Sequence, residues 1–295
     1  MMNKAGDSNQ ITRDYFDSLL LEARYWNSDL PSTRIELFGE EFDTPIMTAA
    51  LSHLLDVCDN GMVAFAEGAV EAGAVHWVGM GEDEELEEII ATGAKTIKII
   101  KPHLDDAVIF HKIEHANAHH AFAVGMDIDH CFSNDGTYDV VCDLPMHSKT
   151  EENLRAYVNA SHIPFIVKGV LSVHDAEICA RAGVQGIVVS HHHGIMPYSV
   201  PPLMILPEIR NAVGSQMKIF VDCGIESGID VFKALALGAD AVCIGRHLMG
   251  PLKNGKTAVT ERILQINREL SSIMARTGAK SLSEIDPSVV HLRNF

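Results

Sequence analysis

The residues with the most chemistry in them stand in short clusters. These are Ser190-His191-His192-His193, Asp127-Ile128-Asp129-His130, Asp222-Cys223-Gly224 and Gly245-Arg246, with lysines at Lys101 and Lys168. An imidazole titrates near working pH, so histidines in reach of carboxylates suit proton transfer. The same groups could also hold a metal. On a strand His191 and His193 lie two apart on one side, and Asp127, Asp129 and His130 could complete the site of a metal-dependent barrel lyase or isomerase. A lysine closing an apolar run, as Lys168 does, is either a functional cation or half of a buried ion pair. Elsewhere His111, His115 and His119 share one helical face at four-residue spacing. Such a row can bind metal, but the outer face of a crossover helix is ordinarily solvated, and the row is read as that. The acidic run Glu82 to Glu85 suits a helix N-terminus and needs no function.

The elements that position these residues repeat. Eight β-rich runs, Pro45–Ala49, Ala74–Gly79, Thr96–Ile100, Ala121–Asp127, Pro164–Lys168, Gly186–Ser190, Lys218–Asp222 and Ala241–Gly245, start 22 to 43 residues apart. That spacing leaves room for a helix between strands, so the strands should be parallel. Gly73, Gly93, Gly183 and Gly238 each close a helical pattern just before a strand, as a left-handed C-terminal residue does. Eight such units predict a single-domain α/β fold, the (β/α)₈ TIM barrel. A doubly wound sheet would carry a glycine-rich turn after its first strand, and Ala49-Ala-Leu-Ser-His53 is no such turn. The whole chain, 1–295, is read as one domain, with 1–40 an N-terminal extension and 251–295 a C-terminal helix and tail. In that helix Ile263, Ile266, Leu270 and Met274 form a stripe for packing on the barrel. Residues 131–149 are the longest irregular stretch, a surface loop by default and otherwise a lid. In a barrel the active site is built at the C-terminal strand ends, which selects Ala50 to Ser52, Met80 and the clusters above.

Composition narrows the classes. The chain carries 23 basic against 40 acidic residues, a net charge of −17, which argues against a nucleic-acid partner. No run approaches the roughly 18 apolar residues of a membrane span, and residues 1–13 lack a secretory hydrophobic segment. The six cysteines show no CxxC pairing, so reduced thiols and a cytoplasmic location are expected.

From Pro164 onward the motifs become specific: Phe165-Ile-Val-Lys-Gly-Val-Leu-Ser172, Gly186-Ile-Val-Val-Ser-His-His192, Phe220-Val-Asp-Cys-Gly224, Gly228-Ile-Asp-Val-Phe-Lys-Ala-Leu-Ala-Leu-Gly-Ala239 and Ala241-Val-Cys-Ile-Gly-Arg246. This series resembles the FMN-dependent α-hydroxy acid oxidase and dehydrogenase family, which includes glycolate oxidase and lactate oxidase. Ala275-Arg-Thr-Gly278 and Ser281-Leu-Ser-Glu-Ile285 resemble its C-terminus. The resemblance implies a barrel that binds FMN and oxidises a hydroxyl-bearing carbon of a 2-hydroxy acid, polyol or sugar-derived compound by hydride transfer. By the same resemblance His192 is the catalytic base, Asp127 its carboxylate and Lys168 the cation beside flavin N1 and O2. Cofactor contacts are implied for Ala50, Leu51, Ser52, Lys168, Ser190, Asp222, Cys223, Gly224, Gly245 and Arg246. It also implies a homo-oligomer, a tetramer, acting on a small molecule; no metal is expected, and the composition already argues against a nucleic-acid or membrane partner.

The departures bear on substrate. The family motif Ser-Asn-His-Gly-Ala-Arg ends in an arginine that grips the substrate carboxylate, and Ile195 aligns there. The asparagine becomes His191 and the glycine His193; Lys101 stands where a substrate-binding tyrosine is expected at the end of strand three. An N-terminal family segment bearing another active-site tyrosine has no counterpart. The segment after strand four is shortened, Glu226 takes the place of a second phosphate arginine, and Cys223 replaces a glycine. Lys101, His191 and His193 are therefore expected to contact substrate, and an ordinary small 2-hydroxy acid is disfavoured. The remaining alternatives are a cofactor-free barrel lyase or isomerase using His191 and His193, and a flavin-binding protein without hydroxy-acid activity.

Overall fold

The computed structural model describes residues 6–293. Its centre is an eight-stranded parallel sheet: β1 Ile46–Thr48, β2 His76–Val78, β3 Thr96–Ile100, β4 Ala123–Asp127, β5 Phe165–Val170, β6 Gly186–Val189, β7 Lys218–Val221 and β8 Ala241–Ile244. Each strand pairs with its sequence neighbours, and β8 returns to β1. The last seam closes through Gly79 N–H donating to Leu51 O (2.8 Å) and Thr48 N–H to Val75 O (3.3 Å). The Thr48 hydroxyl adds to the seam, accepting from Trp77 N–H at 2.9 Å and meeting His76 Nδ1 at 2.9 Å. The fold is a closed (β/α)₈ barrel. All eight expected runs form its strands, for the reason they were legible: near-continuous Val, Ile and Ala covered on both faces.

Ten helices are described. They are α1 Ser8–Ser18, α2 Gly61–Glu71, α3 Asp83–Ala91, α4 Asp106–Ala118, α5 Glu151–Ala160, α6 Val173–Ala182, α7 Pro202–Val213, α8 Gly228–Ala236, α9 Arg246–Leu252 and α10 Lys256–Thr277. Side-chain caps start several of them: Ser172 accepts from Asp175 N–H, Ser227 from Asp230 N–H, and Thr150 forms a capping box with Asn153. Gly73, Gly93, Gly183 and Gly238 all take positive φ (65°, 87°, 82° and 116°), as the recurring pattern predicts. The stripe Ile263, Ile266, Leu270 and Met274 is fully buried.

Residues 6–45 do more than extend the barrel. A hairpin, Ile35–Leu37 against Glu40–Phe42, turns through Phe38 and Gly39, both at positive φ. Phe38 and Phe42 pack on Phe122 at 5.7 and 5.4 Å, just before β4, and so plug the N-terminal end of the barrel. At the opposite end α1 lies over the mouth, with Thr12 bonded to His191 and Phe16 O accepting from Lys233 Nζ. Leu19–Leu21 pairs antiparallel with Val290–Leu292, tying the two ends of the described chain together. Residues 131–149 are more ordered than a loop, with Val140–Val141 paired to Leu144–Pro145 and Met146 bridging to His103. Among the described residues no helix is long and apolar enough to cross a membrane.

Candidate active site

The strand ends gather around a cleft at the C-terminal mouth. β5 does not stop at Lys168 as the sequence pattern suggests; it bulges between Lys168 and Val170 and runs on. Gly169 makes the bulge possible at φ 89°, where a Cβ would fall 2.6 Å from the Asp129 carboxylate. The kink leaves Lys168 Nζ 3.6 Å from Asp127, 3.8 Å from Asp222 and 3.2 Å from His192 Nδ1.

His192 is the hub. Its Nδ1 lies 2.8 Å from Asp129 Oδ1 and 3.4 Å from Asp127 Oδ1, and its main-chain N–H donates to Ser190 Oγ at 3.0 Å. Its Nε2 meets His130 Nε2 at 3.2 Å, and His130 Nδ1 faces Asp139 Oδ2 at 3.3 Å. Burial opposes charge on His192, but the two carboxylates outweigh it and raise the imidazole to about 9. Burial also opposes charge on Asp127, yet Lys168, His192 and Lys101 hold that carboxyl well below its ordinary range. Asp129 goes the other way: burial, then the neighbouring Asp127 charge, lift it to about 6. His130 is lowered by burial and by Lys101, so it is neutral and can accept the Nε2 proton of a charged His192. The arrangement can hold a proton at His192 and pass it outward along His130 toward Asp139.

Several expectations from the sequence need correction. His191 and His193 do not share a side, because strand alternation ends at Val189 and His192 and His193 take left-handed φ of 45° and 59°. His191 is buried and turned to α1: Gly194 N–H donates to its Nδ1 (2.9 Å), which leaves its Nε2–H to donate to Thr12 Oγ1 (2.8 Å). It is a packing contact, held neutral by burial, and does not line the cleft. The metal-capable group is instead Asp127, Asp129, His130 and His192, but the ammonium groups of Lys168 and Lys101 stand against it and oppose a dication. Lys101, expected to contact substrate, is instead bound through its Nζ to Asp127 Oδ2 at 2.7 Å. Ser52 packs toward Gly79 and is absent from the cleft lining, whereas Ala50 and Leu51 belong to it.

The cleft fits an extended anionic cofactor. Its lining includes Ala49, Ala50, Leu51 and Lys168 together with Gly224, Gly245 and Arg246. A Cβ on Gly245 would lie 3.2 Å from Ala49 Cβ, and one on Gly224 3.0 Å from Thr12 Cγ2, so both glycines keep the wall open. Partial burial lowers the Arg246 guanidinium to about 10, and no carboxylate answers it among the described residues, so it can meet an anion in the cleft. Cys223 sits at φ 66°, where a glycine would be unstrained, and its thiol donates to Asp222 Oδ1 at 3.0 Å. His193 is exposed at the rim, and Glu226 also lines the cleft. Sequence reasoning missed Asn9, Thr12 and Arg13, which α1 brings to the same wall. Arg13 is committed to Asp230 at 3.0 Å, so it does not replace a carboxylate-gripping arginine.

Fold and site together define a cofactor-binding barrel enzyme with a histidine–carboxylate–lysine centre. Comparison with known proteins gives the same class: the profile of the FMN-dependent dehydrogenases matches residues 3–161 and 136–292. An L-lactate oxidase of Lactobacillus jensenii is 30% identical over 301 residues, 91% of this chain and 74% of that protein. The 2-hydroxyacid oxidase 2 of Homo sapiens is 26% identical over 321 residues, covering 97% and 92%. A mandelate oxidase variant superposes with a TM-score of 0.90 at 26% identity over 99% of this chain and 93% of that one, and another holds an FMN adduct at a TM-score of 0.88. The chain belongs to the FMN-dependent dehydrogenase family and is an FMN-dependent oxidoreductase.

Proposed function

We propose that the chain oxidises the hydroxyl-bearing carbon of a 2-hydroxy acid or a related polyol or sugar-derived compound. The chemistry a bound FMN would supply is that of a hydride acceptor. His192 takes the hydroxyl proton at Nε2, the nitrogen that otherwise faces His130. Asp127 and Asp129 orient the ring and balance the charge it gains. Lys168, fixed by its carboxylate neighbours on the cleft wall, favours negative charge arriving on the cofactor. Arg246 and the backbone at Gly224 and Gly245 would hold the phosphate end, with Ala50, Leu51, Asp222 and Cys223 along the remainder and the buried Ser190 behind the Cys223 thiol at 3.7 Å. The observation that carries this reading is the contact of one imidazole with two carboxylates and a lysine at the cleft.

Substrate choice should differ from the relatives named above. Ile195 cannot supply the planar fork that binds a carboxylate, and Lys101 is tied to Asp127. Anaerobic mixing of the FMN-loaded protein with 2-hydroxy acids, sugar acids and polyols, following flavin bleaching, tests both parts. The expected result is slow bleaching by glycolate and L-lactate and faster bleaching by another hydroxylated compound. No bleaching by any of the panel would overturn the function, and rapid bleaching by lactate would overturn the inference from Ile195.

We further propose a cytoplasmic homo-oligomer. The family resemblance supports association, and Trp26 and Leu30, 95% and 89% exposed, offer apolar surface for a second copy to cover. Light scattering should return a multiple of the 32.2 kDa chain, and a monomer at moderate concentration would refute it.

A further inference from the structure

We propose that a divalent transition-metal ion binds on the outside of the barrel, between α3 and α4, held by Glu87, His115 and His119. The histidine row on α4 is more than a solvated face, because α3 sets a carboxylate opposite it. Glu87 Oε1 lies 3.1 Å from His115 Nε2 and 3.6 Å from His119 Nε2, and one ligand atom from each residue falls within 4.8 Å of the others. Tetrahedral zinc with bonds near 2.05 Å sets its ligands about 3.4 Å apart, and the two spacings straddle that value. The two imidazoles, one turn apart, stack at 4.3 Å with 25° between planes, and both turn Nε2 toward Glu87 Oε1.

The far side of His115 supports the assignment. That side chain is only 11% exposed, and its Nδ1 is buried without a hydrogen-bond partner among the described residues, 3.9 Å from Asp83 Oδ1. A proton on Nδ1 leaves the Nε2 lone pair for a metal; Asp83 stands beyond hydrogen-bond reach of that proton and contributes its charge rather than a bond. One turn earlier the pattern differs: Asp83 is taken by His111 Nε2 at 2.7 Å and Lys112 Nζ at 2.6 Å, and that ammonium excludes a second ion. The site also sits at the C-terminal end of α4, where the helix dipole favours a cation, beside the acidic face of α3 with Glu84 and Glu88. Two imidazoles and one carboxylate, with water completing the shell, suit zinc, nickel or copper rather than magnesium or calcium.

Helix C-termini lie at the end of the barrel opposite the cleft, so the ion would clamp two neighbouring βα units and leave the chemistry alone. The test is calorimetric titration of chelator-treated, FMN-loaded protein with zinc chloride, paired with thermal unfolding. The wild type should bind zinc at this site and unfold at higher temperature with it. His119→Ala and Glu87→Gln should each lose that binding equivalent and the thermal shift while flavin reduction stays unchanged; His111→Ala and His130→Ala should keep it. Binding should also weaken at pH 6, because the ligands must be deprotonated. Equal zinc binding by wild type, His119→Ala and Glu87→Gln would overturn the proposal, as would loss of the equivalent in His130→Ala alone.

Discussion

His192 shows how neighbours set what one residue can do. At pH 7 an imidazole raised to about 9 is charged, and in that form it cannot take a hydroxyl proton. The reactive fraction therefore grows with pH, and kcat/KM should climb until roughly pH 9. Asp129→Asn removes one of the two carboxylates that raise the ring, so the climb should move to lower pH; an unmoved profile would show that Asp127 alone sets it. The stability linkage has a fixed sign. A folded-state pKa raised from 6.5 to about 9 stabilises the fold fully below pH 6.5, and that share fades as pH rises through 9. Wild type should then lose more melting temperature between pH 7 and 9.5 than His192→Ala does. Asp127, Lys168 and His192 are legible in the sequence by type and motif. The roles of Asp129 and His130 toward His192 are not, since nothing in the spacing says which imidazole nitrogen each will meet.

Two elements place the centre. The β5 bulge depends on Gly169, and Gly169→Ala forces a positive φ on alanine and drives a methyl into Asp129. The expected cost is about 1–3 kcal/mol in unfolding free energy, with slower flavin reduction as Lys168 shifts. A neutral variant would mean that the bulge is not what aims Lys168. Helix α1 is the other element. Thr12→Val leaves the buried His191 Nε2–H without its acceptor and should cost about 1–3 kcal/mol by denaturant unfolding. The barrel strands are readable because local apolar runs and closing glycines repeat. The cover by α1 is not, because Thr12 and His191 are 179 residues apart and neither carries a motif for the other. The same limit explains why the histidine triplet misleads: period-two reasoning fails once His192 and His193 leave the strand conformation.

At the scale of the whole molecule, the closed barrel brings eight strand ends to one mouth, and the family profile spans nearly all of the chain. A bound cofactor should stabilise this architecture by linkage, so added FMN should raise the melting temperature. Arg246→Ala should weaken FMN binding about tenfold or more by fluorescence quenching, because no carboxylate among the described residues pairs with the guanidinium. The central claim is that this molecule moves a hydride to FMN while His192 takes the proton. The most direct test is anaerobic rapid mixing of FMN-loaded wild type and His192→Ala with the best substrate of the panel. Flavin bleaching should be slower in the variant by roughly 10²-fold or more, with FMN still bound. Bleaching at the wild-type rate in His192→Ala would contradict the account.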